Sequence, residues 1–146
     1  MTPKVIVDCD PGHDDAIAIM LAGRLTEVLG ITTVSGNAPL NLTTENALII
    51  TELLNLDVAV HAGADTPLLV APRHAAEAHG RTGLDGPVRP EITLEVASND
   101  AVAFIIETVR NNDDVWLVPI GPLTNIALAV RQAPDIVDRV AGVSIM

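Results

Sequence analysis

The sequence predicts an open, mostly parallel α/β sheet with helices on its faces. Short runs of β-branched aliphatic residues recur along the 146 residues, as strands buried on both faces require. Longer segments with apolar residues near helical spacing alternate with them. The core also has to be aliphatic, because 49% of the chain is apolar while Phe104 and Trp116 are its only aromatic side chains. A β-α-β-α-β order of this kind gives parallel strands joined by right-handed crossovers.

The elements follow in order. Val5-Ile6-Val7 reads as a short buried strand. Asp8-Cys9-Asp10-Pro11-Gly12-His13-Asp14-Asp15 follows, with Pro11 and Gly12 as a tight turn. Ala16 to Ala22 is apolar on nearly every face, as a buried helix is. Leu25-Thr26-Glu27 breaks it, and Val28 to Val34 forms a second strand ended by the loop Ser35-Gly36-Asn37-Ala38-Pro39. Asn41 to Asn55 has helical spacing, and Val58-Ala59-Val60 is a third strand. From Gly63 to Pro90 the rhythm stops in a long loop rich in Pro and Gly, a pattern typical of functional loops. Ser98 caps a helix over 100–110. Val115 to Ile120 is the fourth strand, and Gly121-Pro122 turns into a helix at Leu123 to Ala129. Pro134 ends it or starts a further short piece, and Val140 to Met146 reads as a fifth strand. Residues 1–146 make one α/β domain, a length sufficient for a real core.

A net charge of −11 argues against nucleic acid as a partner. No stretch carries the roughly 18 continuous apolar residues of a membrane-spanning helix, so no membrane partner is expected. The N-terminus lacks the pattern of a secretory signal. Cys9 is the only cysteine, which excludes an intrachain disulfide and fits a reducing cytoplasm, the expected location.

The chemistry concentrates where the first strand ends. Four carboxylates, Asp8, Asp10, Asp14 and Asp15, fall within eight positions and repel one another. A hard divalent cation relieves that repulsion, and Ca²⁺ or Mg²⁺ takes carboxylate oxygens. Asp14 and Asp15 open a helix, where negative charge is favoured by the macrodipole. The cluster lies at the carboxyl edge of the sheet, where ligands bind in open α/β folds.

The run Asp8 to Ala16 resembles the N-terminal signature of the nucleoside hydrolases, the inosine–uridine-type N-ribohydrolases. Thr32-Thr33-Val34-Ser35-Gly36-Asn37, His79-Gly80-Arg81-Thr82-Gly83-Leu84-Asp85-Gly86 and Ile120-Gly121-Pro122-Leu123-Thr124-Asn125 resemble later segments of that family, in its order. The resemblance implies a Rossmann-like sheet of the nucleoside hydrolase type. It implies hydrolysis of the N-glycosidic bond of a ribonucleoside to ribose and free base, with Ca²⁺ as cofactor. Asp10 and Asp15 are then metal ligands, Asp8 supports them, and the Ile120 backbone carbonyl is a further ligand, although the family often has Thr there and its later metal-binding Asp would lie beyond Met146. Asp10 also serves as the general base on water. Asp14 and Asn37 contact the ribose hydroxyls, and His79 sits on a mobile loop as a catalytic or substrate-binding group. His13 and Cys9 are neighbours without a chemical role. The family is usually dimeric or tetrameric, so a homo-oligomer is expected.

The resemblance reaches only the first half of a family member. It therefore implies an N-terminal fragment or truncated product, with activity alone in question. Two other readings compete. Asp8 and Asp10 also fit a phosphatase of the haloacid dehalogenase type, in which one Asp attacks phosphorus and the other acts as acid, but no Lys partner stands out. The other is a non-catalytic metal- or ribose-binding module.

Overall fold

The computed structural model describes residues 2–86 and 88–146. The first strand, β1 (Lys4–Cys9), is followed by α1 (His13–Leu25), β2 (Glu27–Thr33), α2 (Leu40–Leu53) and β3 (Val60–Ala62). A four-residue helix, α3 (Ala76–His79), interrupts the long loop. Then come α4 (Ala101–Asn111), β4 (Val115–Pro119), α5 (Thr124–Gln132), a 3₁₀ turn (Pro134–Asp138) and β5 (Gly142–Val143). The sheet order is β3-β2-β1-β4-β5, and every pairing is parallel.

β1 is central because its side chains are apolar on both faces. Val5, Val7 and Cys9 pack with Ile19 of α1 and Ala47, Leu48 and Ile50 of α2. Ile6 points the other way, into Ile105, Ile106 and Val109 of α4 and Ala129 of α5. The two-residue alternation of a strand thus feeds two aliphatic cores. From β1 the chain winds outward to β2 and β3, then returns to lay β4 and β5 on the other side. The strand order therefore reverses between β1 and β4, which makes the carboxyl ends of those two strands the topological switch point.

Several expectations need correction. The third strand lies at 60–62 rather than 58–60: Val60, His61 and Ala62 are the residues in register with Ile31, Thr32 and Thr33. Of the expected fifth strand at 140–146, only Gly142–Val143 is regular strand in register with β4, although the N–H groups of Ala141, Ser144 and Met146 also donate to the β4 carbonyls of Val115, Leu117 and Pro119. Asp100, not Ser98, caps α4: its carboxylate accepts from the Ala103 N–H at 2.9 Å. Ser98 instead bonds His61 Nδ1 at 2.9 Å. Helix α1 is not buried all round. Ile17, Leu21 and Leu25 are 63%, 58% and 64% exposed, because the helix packs through Ile19 alone among its fully buried apolar residues.

Candidate functional site

Three acids converge at the carboxyl end of β1. Asp8 is still in the strand, beside Thr32 of β2 and Pro119 of β4. Its Oδ1 accepts from Thr32 Oγ1 at 2.5 Å and from Asn125 Nδ2 at 2.8 Å. Asp10 lies one residue past the strand. Its Oδ2 accepts from the Asn37 backbone N–H at 2.6 Å, and its carbonyl accepts from Asn37 Nδ2 at 3.0 Å. Asp15, in the first turn of α1, accepts from the Gly12 N–H at 3.0 Å and from Asn37 Nδ2 at 3.5 Å. Asn37 thus links Asp10 to Asp15, as a residue in the loop after β2 can when β2 lies next to β1.

All three acids are buried. Burial raises Asp8 to about 6 against the hydrogen bonds of Asn125 and Thr32. Burial likewise raises Asp10 to about 6, against the Asn37 N–H. Asp15 rises to about 7, again mainly by burial, with the charges of Asp10 and Asp14 adding to it. Cys9 sits beside them with no exposed surface. Burial and the nearby acids push its thiol well up, which leaves it an inert packing group.

Among the described residues, Asp8 Oδ2 and Asp15 Oδ1 are buried without a hydrogen-bond partner. An orphaned carboxylate oxygen is costly, and a hard cation is the partner that suits it best. Among the described residues no three His, Cys, Asp or Glu side chains form a complete ligand cage. An ion here would draw on backbone carbonyls and water as well. The donor set is all oxygen, which fits Ca²⁺ or Mg²⁺ rather than a soft metal. The β4 turn presses on the same acids. Ile120 N–H donates to the Asp8 carbonyl at 2.8 Å, and a Cβ on Gly121 would stand 2.6 Å from Asp10 Oδ1. A Cβ on Gly36 would collide with the Asp10 carboxylate. Both glycines are therefore needed for close approach.

Asp14 is more open than its neighbours, with a side chain 58% exposed. His79 Nδ1 lies 4.0 Å from Asp14 Oδ1. The His79 ring stacks on His13 with centroids 5.9 Å apart. The structure therefore gathers Asp8, Asp10, Asp14, Asp15, Asn37, His79 and Ile120 at one edge of the sheet. Sequence reading missed three contributors. Thr32 and Asn125 hold Asp8, and Asn46 of α2 donates to the Pro11 carbonyl at 2.9 Å. Strand register, which pairs Asp8 with Thr32, was the available signal for Thr32. For Asn46 it was an amide on the core-facing side of an apolar helix.

The geometry defines an α/β protein with a buried acidic cluster at its switch point. The chain belongs to the inosine-uridine preferring nucleoside hydrolase family, whose sequence model matches residues 5–146. It is 45% identical over 146 residues to the pyrimidine-specific ribonucleoside hydrolase RihB of Escherichia coli, covering 98% of this chain and 47% of that protein. The solved structure of a purine-preferring ribonucleoside hydrolase from Gardnerella vaginalis is similar at a TM-score of 0.92 and 34% identity, over 98% of this chain and 48% of that one. A plant nucleoside hydrolase gives a TM-score of 0.90 at 34% identity, over 99% and 48%. The chain spans about half the length of the relatives it matches.

Proposed function

We propose that this chain supplies the metal- and ribose-binding half-site of a ribonucleoside hydrolase, which cleaves the N-glycosidic bond to ribose and free base. The observation that carries the reading is the buried Asp10–Asn37–Asp15 cluster at the switch point, with Asp15 Oδ1 left unpartnered. Family membership and the activities of the relatives support it. Those names span pyrimidine-specific and purine-preferring enzymes, so the proposal is for ribonucleosides as a class.

Nucleoside hydrolases are generally metal-dependent, and Ca²⁺ is the ion we assign here. Asp10, Asp15 and the Ile120 carbonyl would hold it, with Asp8 in support. When bound, such an ion lowers the pKa of a water molecule and orients it. Asp10 takes the proton from the attacking water. With the cation bound, Asp10 is ionised and able to accept that proton. Asn37 keeps Asp10 in place from both backbone and side chain. Asp14, the most open acid, is free to accept from the ribose diol, and the Asn37 carboxamide suits the same diol. His79, beside Asp14, faces the leaving base or the sugar. The transition state is oxocarbenium-like, so the surrounding carboxylates favour the charge that develops on the sugar.

The phosphatase alternative fails at Asp8. That carboxylate has no exposed surface and one oxygen is occupied by Thr32 and Asn125, which leaves no line of attack on phosphorus. A homo-oligomer, dimer or tetramer, is proposed from the exposed Ile17, Leu21 and Leu25 of α1, and sedimentation would test it. A cytoplasmic location fits the single buried thiol. Among the described residues no helix is long and apolar enough to cross a membrane.

The experiment is ribose release from a panel of purine and pyrimidine nucleosides, with Ca²⁺ and with chelator. Chelator-sensitive release that disappears in Asp10→Asn supports the proposal. Nucleoside binding without release would favour the binding-module reading instead.

A further inference from the structure

Asn46 sits in α2 with no exposed surface. Its Nδ2 donates to the Pro11 carbonyl at 2.9 Å and to the Thr82 carbonyl at 2.8 Å. An amide nitrogen has two protons, and both are used here. The two carbonyls belong to segments that no strand or helix joins. Pro11 lies in the acid turn, while Thr82 follows α3 on the loop that carries His79. One side chain therefore bridges the two. The fit is tight: a Cβ on Gly83 would stand 2.9 Å from Asn46 Nδ2 and 3.1 Å from the Pro11 carbonyl.

The consequence is visible at His79. Its ring is so close over the acid turn that a Cβ on Gly12 would meet His79 Nδ1 at 2.6 Å. It stacks on His13 at an interplanar angle of 17°, and His13 Nε2 donates to the Asp85 carbonyl at 3.0 Å. His74 Nδ1 donates to the Gly36 carbonyl at 3.1 Å from an exposed position. Water replaces that surface bond readily when it breaks. The Asn46 bonds differ, because a buried donor that loses its acceptor stays unpaired.

We propose that Asn46 is a positioning residue: it holds the His79 loop against the acid turn and so fixes where His79 stands relative to Asp14. The loop geometry is independent of the reaction, and only the effect on turnover rests on the nucleoside hydrolase reading. Asn46 touches no substrate. It acts through the backbone of Pro11 and Thr82.

The test uses two variants, Asn46→Ala and Gly83→Ala. The second disturbs the same bridge from the loop side, where φ is +85° and an added Cβ is strained, and leaves α2 untouched. Two readouts follow the loop: proton cross-relaxation between the His13 and His79 rings, and the rate of tryptic cleavage after Arg81. The ring signals of His61, bonded to Ser98 and stacked on Phe104 at 3.8 Å, report whether the fold is intact. The expected result in both variants is loss of the ring contact and about tenfold faster cleavage, with His61 unshifted. Where the parent chain releases ribose, kcat/KM falls about 100-fold, chiefly in kcat. Retention of the ring contact and the parent cleavage rate overturns the assignment, as does an unchanged kcat/KM in a variant that has lost the contact. Should Asn46→Ala not fold, Gly83→Ala decides by the same readouts. A parent chain with no turnover, as a half-site alone allows, leaves the ring contact and cleavage rate to decide the role of Asn46.

Discussion

Asn37 holds Asp10 by both ends. Its backbone N–H donates to the carboxylate at 2.6 Å while its carboxamide donates to the Asp10 carbonyl at 3.0 Å. Only the second bond depends on the side chain. Asn37→Ala should therefore leave the Asp10 carboxylate anchored, at a stability cost of about 1 kcal/mol. It should nonetheless lower kcat/KM about 10- to 100-fold, because the proposed diol contact and the reach to Asp15 are lost. Urea unfolding and steady-state kinetics on one preparation separate the two effects. A large stability loss with unchanged kinetics would assign Asn37 to structure alone.

The acid cluster makes metal-free stability depend on pH. Folding raises Asp8 and Asp10 from 3.8 to about 6, and Asp15 from 3.8 to about 7. Between about pH 4 and 7 the folded chain thus binds more protons than the unfolded one, and stability falls as pH rises. The lowered carboxyls of Glu52, Asp85 and Asp135 act at and below the acid end of this window, and His61, lowered by burial, acts in the opposite sense inside it as one group against three. In chelator the melting temperature should drop between pH 5 and pH 7.5. Ca²⁺ should restore it at pH 7.5 and matter little at pH 5, where the acids hold protons. Calorimetry at the two pH values checks this, and a chelated chain equally stable at both would refute it.

Asn125 satisfies three groups at once. It accepts from the Ala64 N–H at 2.9 Å and donates to Asp8 Oδ1 and the Thr33 carbonyl at 2.8 and 3.0 Å. Asn125→Ala should cost about 2–4 kcal/mol, because Asp8 Oδ1 is left with Thr32 alone and the Thr33 carbonyl and Ala64 N–H lose this partner. The midpoint of urea unfolding reads this directly, and a loss below about 1 kcal/mol would mean that water reaches the gap.

Glu52 ties the segment before α4 to the end of α2. Its carboxylate accepts from the N–H groups of Thr93 and Leu94 at 2.8 and 2.9 Å and from Thr93 Oγ1 at 3.1 Å. All of this is at the surface. Glu52→Ala should speed amide exchange at Thr93 and Leu94 about tenfold and leave the melting temperature nearly unchanged. Exchange followed residue by residue checks it, and a cooperative loss of protection in β1 would contradict it.

Local signals in the sequence account for β1, the acid turn and the helix that follows. Apolar β-branched residues give the strand, and Pro11-Gly12 ahead of Asp14-Asp15 gives the turn and the helix start. The edges were harder. Val140 to Met146 is mostly apolar and runs along β4 as far as the Met146 N–H, but only Gly142 and Val143 keep regular register, which composition does not mark. Likewise α1 carries apolar residues on faces that the sheet does not reach. At the site, the acids were legible because they are contiguous. The residues that hold them were not. Thr32 and Asn125 meet Asp8 across separations of 24 and 117 residues, and nothing local marks either as its partner.

That 117-residue reach has a kinetic side. With β1 at the centre of the sheet, the cluster is finished only when β4 docks on it and α5 brings Asn125 over Asp8. Loops of this length close late, since their entropy is lost before their contacts form. A partly folded chain holding β1, β2 and α1 already has the acids close together, yet lacks the Asn125 donor and the Gly121 turn that fix them. If the proposed cation binds, tight binding during refolding should mark the last docking step rather than the first collapse, so that the site would double as a clock for completion of the fold.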